Sequence, residues 1–567
     1  MECANLPKLI PSSNEKDVYQ QTSFSIDAIA RNVCSTWEEA TTNPNFDVVV
    51  IGSGMFGGYC ADKLYRLTKE KRTLVLEAGG FLIAEHYQNL PDIGLEVPDP
   101  IDPASDDAPR KLVWGMPWRG NTKFIGTPYC VGGKSLYWGG WCPRLTHDIL
   151  NDWPRDVAEY LRQNYCHLEE QLGVSKPTDF IQGALYEAMM DSAKAVCPSI
   201  IGLTDVKPPP LAVSGSPPAS GLFPFDKYSS LPLLISAIRD AIDEVSNDDG
   251  RRRLFLVPRA HVVKLHTSGT LIRRIACIEV FVNGQQRFLK IKPGCAVVLA
   301  LGAIESTRIA LESFPTAANP AYEKMGRNLT VHMRSNTTVR IKRSAFETPG
   351  KRLFGKLQTA AFLVRGKTDD GHFHLQVTAA DDPDGNSDKL LFSMIPDIDQ
   401  LEKILKAQHA DFVAVTFRGC AETKGIKDQP IRNPARRWID LSSERDEFGF
   451  RRAFVNLAIN AAEERLWEAM DKITNQLAHK LANNDDTAIQ IISSTTRDGL
   501  GTTYHESGTL WMGDDPATSV TNKDGQFHHI ANAYCVDQAL FPRAGSANPA
   551  LTGLTLTLKI SEHIANL

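Results

Sequence analysis

Residues 47–80 read DVVVIGSGMFGGYCADKLYRLTKEKRTLVLEAGG, and the order of features in this stretch decides the fold. Asp47 to Ile51 is a short, mostly β-branched apolar run, the pattern of a strand buried on both faces. Gly52, Gly54 and Gly57 follow at G-x-G-x-x-G spacing, and Ala61, Leu64 and Leu67 then recur at helical intervals. A second buried strand, Thr73 to Leu76, ends at Glu77. In such a β-α-β unit Gly52 permits the tight turn and Gly54 lets backbone N–H groups approach a pyrophosphate, while Gly57 allows the helix to pack closely on the sheet. The helix N-terminus offers free N–H groups and a positive dipole end to phosphates. Glu77 stands where a carboxylate accepts hydrogen bonds from ribose hydroxyls. The bland alternative is a tight strand–helix turn without a ligand. Strand, glycines, helix, strand and acid in this order favour a dinucleotide. The unit does not separate FAD from NAD, but Glu77 disfavours NADP, because a carboxylate repels a 2′-phosphate.

The chain of 567 residues exceeds what one ordinary core needs, so two domains, or one with a large insertion, are expected. Its 42% hydrophobic and 23% charged residues are those of a soluble globular protein, and a net charge of −5 gives no support for nucleic-acid binding. Eleven scattered cysteines without a C-x-x-C argue against a zinc site or a disulfide scaffold. The N-terminus lacks the basic start and apolar core of a signal peptide, and no window approaches a membrane span, so a cytoplasmic protein without membrane association is expected.

Outward from the nucleotide unit, residues 1–43 read as an N-terminal extension with one docked helix over Ser25 to Glu39. A nucleotide-binding domain is expected over 44–334 and 496–567, with irregular structure at 81–120 and a helical insertion at 151–245 that contains a Pro/Gly/Ser-rich loop at 203–225. Ala296 to Leu301, Gly302 and a helical run Glu305 to Leu311 form a second strand–turn–helix. From 335 to 495 the pattern turns to period-two alternation, which predicts a substrate domain built on an antiparallel sheet, followed by one long helix, Asn460 to Asn483. The C-terminal region ends in a helix, Leu554 to Ala565. The expected class is α/β plus α+β, a Rossmann-like domain joined to an antiparallel one.

Four separated stretches resemble one family: the Gly52–Gly57 unit with Glu77; GGKSLYWGG at 132–140; VVLALGAIESTRIAL at 297–311; and YHESGTLWMG with NAYCVDQALFPRAGSANPALTGLTLTLKISEHI near the C-terminus. Together they resemble the glucose–methanol–choline (GMC) family of FAD-dependent oxidoreductases, and the final motif resembles its pyranose oxidase branch. The resemblance implies that Gly52, Gly54, Gly57 and Glu77 hold the ADP half of FAD. Val262 would meet the adenine through its backbone, while Gly302 and Ala303 close over the nucleotide. The 132–140 block (Gly132, Gly133, Ser135, Trp138) would approach the cofactor, with Trp138 packing against the flavin, and Asp537 would lie near the ribityl and pyrophosphate. Asn548, Pro549 and Thr552 would lie beside the flavin, with the N-terminus of the last helix aimed at it. Covalent pyranose oxidases read Ser-Thr-His-Trp where this chain has Ser135, Leu136, Tyr137 and Trp138. Tyr137 replaces the linking His, so non-covalent FAD is expected, and the loss of the Thr at Leu136 leaves the polarisation of flavin N5 open.

The implied chemistry is hydride transfer from a carbinol carbon to flavin N5. The hydroxyl proton must leave as the hydride departs, which calls for a base. The resemblance assigns His505 as that base and Asn548 as the partner that holds the substrate oxygen. His332, in MGRNLTVHMR, matches an element read as structural, and Glu506 is either a second polar contact or a solvated or capping group. His372/His374 and His528/His529 lack surrounding carboxylate ligands, so no metal is expected. The expected substrate is an alcohol, by branch resemblance a sugar or glycoside, with oxygen or a quinone as electron acceptor. A tailoring oxidase acting on a hydrophobic alcohol, a lyase on the same scaffold and an NAD-dependent dehydrogenase stay open.

Overall fold

The computed structural model describes residues 30–95, 97–103, 113–174, 181–214, 226–246, 248–270, 273–314, 320–347, 353, 357–396, 398–430 and 432–567. Among them, five strands form a parallel sheet in the order Ala533–Cys535, Ala296–Leu299, Val48–Ile51, Thr73–Leu76 and Leu254–Val257. Its inner strands are apolar and buried at every position, because helices cover both faces of a parallel sheet. Helix Met55–Leu67 packs between the C-terminal helix Ala550–Ala565 and helix Leu231–Asp243. The expected β-α-β unit and the second strand–turn–helix, Ala296–Leu299 into Gly302–Ser313, lie side by side in this sheet, with Val48 to Ile51 in register with Ala296 to Leu299.

A second, six-stranded antiparallel sheet carries His332–Lys342 beside Phe412–Glu422, which pairs with His372–Asp381, which pairs with Gln358–Lys367. Period two sorts its side chains. Met333, Phe373, Leu375 and Phe417 pack with Leu466, Met470 and Leu477 of helix Ala461–Leu481. Their neighbours on the other face include His332, Arg334, His374, Gln376, Arg418 and Cys420, which are buried although polar or titratable. Register sets His332 opposite Glu422, and His374 opposite Cys420.

The structure departs from the sequence reading in five places. The helix expected over Ser25 to Glu39 is interrupted: residues 25–29 lie outside the described set, Ala30–Asn32 is a 3₁₀ turn, and a new helix, Trp37–Thr41, starts at Thr36. Thr36 and Glu39 cap that start reciprocally, Oγ1 accepting the Glu39 N–H at 3.2 Å and the Glu39 carboxylate accepting the Thr36 N–H at 2.9 Å. The expected loop at 203–225 begins as a strand, Leu203–Lys207, which pairs with Gln358–Lys367 before the prolines end it; residues 215–225 lie outside the described set. That strand and helix Ala184–Val196 pack on the antiparallel sheet, although the sequence grouped them with the nucleotide domain. Trp438–Arg445 and Arg451–Asn456 alternate like the other strands but form a separate small sheet with Arg119–Gly120. The last helix starts at Ala550, four residues before the expected Leu554, so Pro549 is its N-cap. No helix among the described residues is long and apolar enough to cross a membrane.

Candidate active site

Gly52 and Gly57 have the geometry that their spacing predicts. Gly52 has φ +95°, the left-handed region, and a Cβ there would meet the Ala300 carbonyl oxygen at 2.7 Å. A Cβ on Gly57 would lie 1.9 Å from the Gly52 oxygen, so the helix can approach the turn only without one. A Cβ on Gly54, the residue that opens the helix, would meet nothing within 4 Å. The open space is a cavity of about 340 Å³ lined by Gly52, Gly54, Glu77, Val262, Gly302 and Ala303 together with His505, Asn548 and Pro549. It shares Tyr129, His261, Glu305 and Arg308 with a second chamber of about 510 Å³.

Glu77 is held toward this cavity by the loop itself. It accepts the Ser53 N–H at 2.9 Å, the Ser53 hydroxyl at 2.7 Å and the Gly79 N–H at 2.8 Å. Burial pushes its carboxyl up, and these three donors pull it back toward the ionised form. The 132–140 block closes against the same turn. Gly133, at φ +51°, sits so near the loop that a Cβ would lie 3.1 Å from Gly54 Cα, and the Gly132 N–H donates to Ser53 Oγ at 3.3 Å. Trp138 lines the cavity and donates its indole N–H to the Tyr228 carbonyl at 2.7 Å. Tyr137 also lines it, packed edge-on against Trp114 at 5.1 Å.

Four expected contacts lie elsewhere. Gly132 is set back from the cavity, its N–H turned to Ser53 Oγ. Ser135 does not line the cavity; its hydroxyl donates to the Gly132 carbonyl at 2.7 Å and so shapes the block. Asp537 is fully buried behind the wall and accepts the Gly302 N–H at 3.0 Å and the Ser306 hydroxyl at 2.6 Å, fixing the second turn, while its neighbour Gln538 faces the cavity. Thr552 shares a hydrogen bond with the Tyr165 hydroxyl at 2.9 Å, and it too lies off the cavity. With the helix beginning at Ala550, Thr552 falls on its packed side, and Asn548, Pro549 and Ala550 line the cavity.

The two expected catalytic groups meet. Asn548 Nδ2 lies 3.3 Å from His505 Nε2, and both residues line the cavity. His505 Nδ1 is 2.7 Å from His332 Nδ1, and His332 Nε2 is 2.8 Å from the Gly545 carbonyl oxygen. His332, read from the sequence as a structural element, therefore bonds directly to the candidate base. Burial holds the His505 imidazole well below its usual range, with His332, Arg334, His374 and Arg418 adding to the effect. A neutral imidazole facing a cavity is ready to accept a proton. Just before it, Tyr504 holds φ +59°, unusual for a bulky residue, and this turn sets the direction of the His505 side chain.

Sequence reasoning missed several polar lining groups. Lys134 lies 4.4 Å above the Tyr504 ring, and burial lowers its ammonium pKa while Glu506 counters. Glu506 is buried and lines the cavity, which removes the solvated alternative; burial raises its carboxyl pKa, with Lys134 opposing. Arg418 donates both Nη groups to Asp399 at 2.6 Å, and Asp399, Ile398 and Pro396 close one side of the cavity. The helical segment before them is latched from beneath: Lys227 Nζ donates to Gln88 Oε1 at 2.7 Å, and Gln88 Nε2 donates to the Phe392 carbonyl at 2.6 Å. Of the other histidine pairs, His372 bridges Asp148 at 2.6 Å and Glu422 at 2.8 Å, and His528 meets Ser519 at 2.8 Å.

Residues 422–557 match the family model described as GMC oxidoreductase. The chain carries a GMC oxidoreductase C-terminal domain. His505 and Asn548 both fall inside it. The GMC match extends to curated oxidases. The chain is 31% identical over 127 residues to paromamine 6'-oxidase of Streptomyces fradiae, 22% of either chain. It is 40% identical over 62 residues to 6'''-hydroxyparomomycin C oxidase of Streptomyces lividus, 11% of either chain. The chain thus spans about a fifth or less of the length of the curated relatives it matches. The fold is similar to that of the crystal structure of pyridoxine 4-oxidase from Mesorbium loti, with TM-score 0.56 and 16% identity over 92% of this chain and 99% of that one.

Proposed function

We propose that this protein oxidises the CH–OH group of a small polar alcohol, a sugar or glycoside, to a carbonyl, using non-covalently held FAD and passing electrons to oxygen or a quinone-type acceptor. The observation that carries the reading is that His505 and Asn548 share one cavity with the Gly52–Gly54 turn and Glu77. The open space at Gly54, the left-handed Gly52 and the ribose-side carboxylate fit a dinucleotide there. When bound, FAD supplies the hydride acceptor. The protein's part is to hold the substrate and move its proton. The buried, neutral His505 takes the hydroxyl proton at Nε2, and an Asn548 N–H holds the oxygen as charge develops. The positive end of helix Ala550–Ala565 faces the same space and favours negative charge on a reduced flavin. Tyr137 at the position of the linking His supports the absence of a covalent bond, since a phenol packed among Tyr87 and Trp114 is not an imidazole nucleophile.

Lys134, Arg334, Asp399, Arg418 and Glu506 line the cavity, and this charged lining supports a hydroxyl-rich substrate over a hydrophobic alcohol. The names of the matched Streptomyces oxidases support the same substrate class. The test is an anaerobic titration of the purified protein with sugars, glycosides and hydrophobic alcohols, following the flavin absorbance near about 450 nm. Bleaching by a polyol, with flavin released on acid precipitation, is expected. Bleaching only by hydrophobic alcohols overturns the substrate class. Flavin retained in the pellet overturns the non-covalent assignment. No bleaching by any alcohol overturns the oxidation itself and favours a lyase.

A further inference from the structure

We infer that His332 and Gln376 are positioning residues that fix the proton on His505 Nδ1, leaving Nε2 bare toward the cavity, and turn the Asn548 amide so that its NH₂ faces the substrate. This deepens the proposed alcohol oxidation and rests on it for its catalytic meaning, though not for its geometry.

One end of the network has no choice of direction. The Gly545 carbonyl can only accept, so the contact at 2.8 Å requires a proton on His332 Nε2. A neutral His332 then has a bare Nδ1. The proton in the 2.7 Å contact between the two Nδ1 atoms must therefore come from His505, whose Nε2 is left with its lone pair. The network reaches the same atom from the other side. Gln376 Nε2 lies 2.8 Å from Asn548 Oδ1 and 3.2 Å from His374 Nε2, so its two hydrogens serve two acceptors. With Oδ1 taken, Asn548 presents Nδ2 to His505 Nε2 at 3.3 Å. Every donor meets an acceptor when the chain runs from Gln376 through Asn548 and His505 to His332 and Gly545.

The reversed arrangement fails at one point. Flipping Gln376 and Asn548 and moving the protons onto His374 Nε2, His505 Nε2 and His332 Nδ1 satisfies each contact except the last. There His332 Nε2 would point its lone pair at the Gly545 oxygen. Only a cationic His332 escapes this. The groups facing the histidine pair oppose that charge: Arg334 on its own strand, His374 on the strand His372–Asp381, and Arg418 on the strand Phe412–Glu422. Glu422, directly across from His332, is the carboxylate that favours it, and it is already engaged with His372 and Arg543. Cys420 beside them donates its thiol to the Ser546 carbonyl at 3.5 Å. Burial and Arg334 hold His332 down to about 4, in keeping with the neutral form.

The consequence for the reaction is directional. The substrate hydroxyl gives its proton to Nε2, and His505 becomes a cation whose Nδ1–H already points at an acceptor. The long contact from Asn548 Nδ2 yields to the substrate oxygen, which gains an N–H in exchange.

The experiment has two independent readouts on the FAD-loaded protein. The first is the tautomer of His505, read by long-range ¹H–¹⁵N correlation with ¹⁵N-labelled histidine and assigned by difference against His505→Asn. The expected spectrum has the proton on Nδ1 and a bare Nε2 at neutral pH; a proton on Nε2 overturns the proposal. The second is the pH profile of anaerobic flavin reduction. His332→Leu removes the acceptor and is expected to slow reduction by about tenfold or more and to move the acidic limb, whereas His332→Gln, whose carbonyl can accept from Nδ1–H, recovers most of the rate. Gln376→Glu, which can only accept when ionised, is expected to invert the Asn548 amide and abolish reduction with FAD content unchanged. An unshifted profile in His332→Leu, or wild-type reduction in Gln376→Glu, overturns the proposal. If no alcohol reduces the wild-type flavin, the proposed function fails while the tautomer remains measurable.

Discussion

Gly57→Ala is the sharpest perturbation of the nucleotide turn. The added carbon would stand 1.9 Å from the Gly52 oxygen, 2.9 Å from the Gly52 carbonyl carbon and 3.0 Å from Ala300 Cβ. An ordinary carbon–oxygen contact is about 3.3 Å, so turn and helix must separate by about 1.4 Å. Both clashing atoms at Gly52 are backbone, and no rotamer change relieves them. Overpacking of this kind costs about 1–3 kcal/mol. Unfolding entropy of roughly 2.1 cal/mol/K per residue makes that only about 1–3 °C in a chain of 567 residues. Thermal midpoint is therefore a poor discriminator, and FAD affinity is the assay. Losing one hydrogen bond to a charged phosphate costs about 1.5–3 kcal/mol, or about 10- to 150-fold in Kd. Fluorescence titration of apo-protein with FAD is expected to show that loss in Gly57→Ala. Gly54→Ala serves as the contrast: no atom lies within 4 Å of its Cβ, so the fold is kept while the methyl occupies space reserved for the ligand. A Gly57→Ala protein that binds FAD as tightly as wild type would refute the reasoning.

His505→Ala is expected to retain FAD but to lose about 10²- to 10⁴-fold in the anaerobic rate of flavin reduction, with Asn548→Ala losing less; stopped-flow absorbance decides, and equal rates in wild type and His505→Ala remove the base assignment. His332 is buried with its folded value depressed to about 4, so the unfolded chain binds the extra proton first as pH falls. Stability is expected to be full above about 6.5 and to decline toward about pH 4, by up to about 3 kcal/mol from this group, readable by urea unfolding at stepped pH. Glu463→Gln leaves Arg437, now bonded to it at 2.7 and 2.8 Å, as an uncompensated buried cation, and is expected to cost about 3 kcal/mol, with the double change to Met at both positions costing less.

Local chemistry was the legible part. Glycine spacing, Glu77 and the strand–helix rhythm each concern neighbours in sequence, and the structure brings them to one cavity. What escaped depends on register or rotation. The segment HFHLQV alternates polar and apolar residues, and read with the inward-facing period it marks His374 and Gln376 as one buried polar face; only its pairing with Phe412–Glu422, which in turn pairs with His332–Lys342, reveals that this face stands behind His505. Thr552 was misassigned because the C-terminal helix is buried on nearly every side, so its sequence has no polar face to mark which residues meet the cavity. Leu203–Lys207 was hidden by the prolines that follow it, and the split of Trp438–Arg445 from the larger sheet has no period-two signature at all.

The strand order of the parallel sheet has a consequence for biogenesis. Val48–Ile51 sits beside Ala296–Leu299, which sits beside Ala533–Cys535, so the innermost layer is woven from strands far apart in sequence. At roughly 5–20 residues per second on the ribosome, the sheet waits tens of seconds between its first strand and its last. During that interval the glycine turn exists without its opposite wall, and the sheet presents an uncovered edge. The cavity needs both the glycine turn and the segment Asn548–Ala550, so it is complete only once the last of these strands and the helix after it have been made.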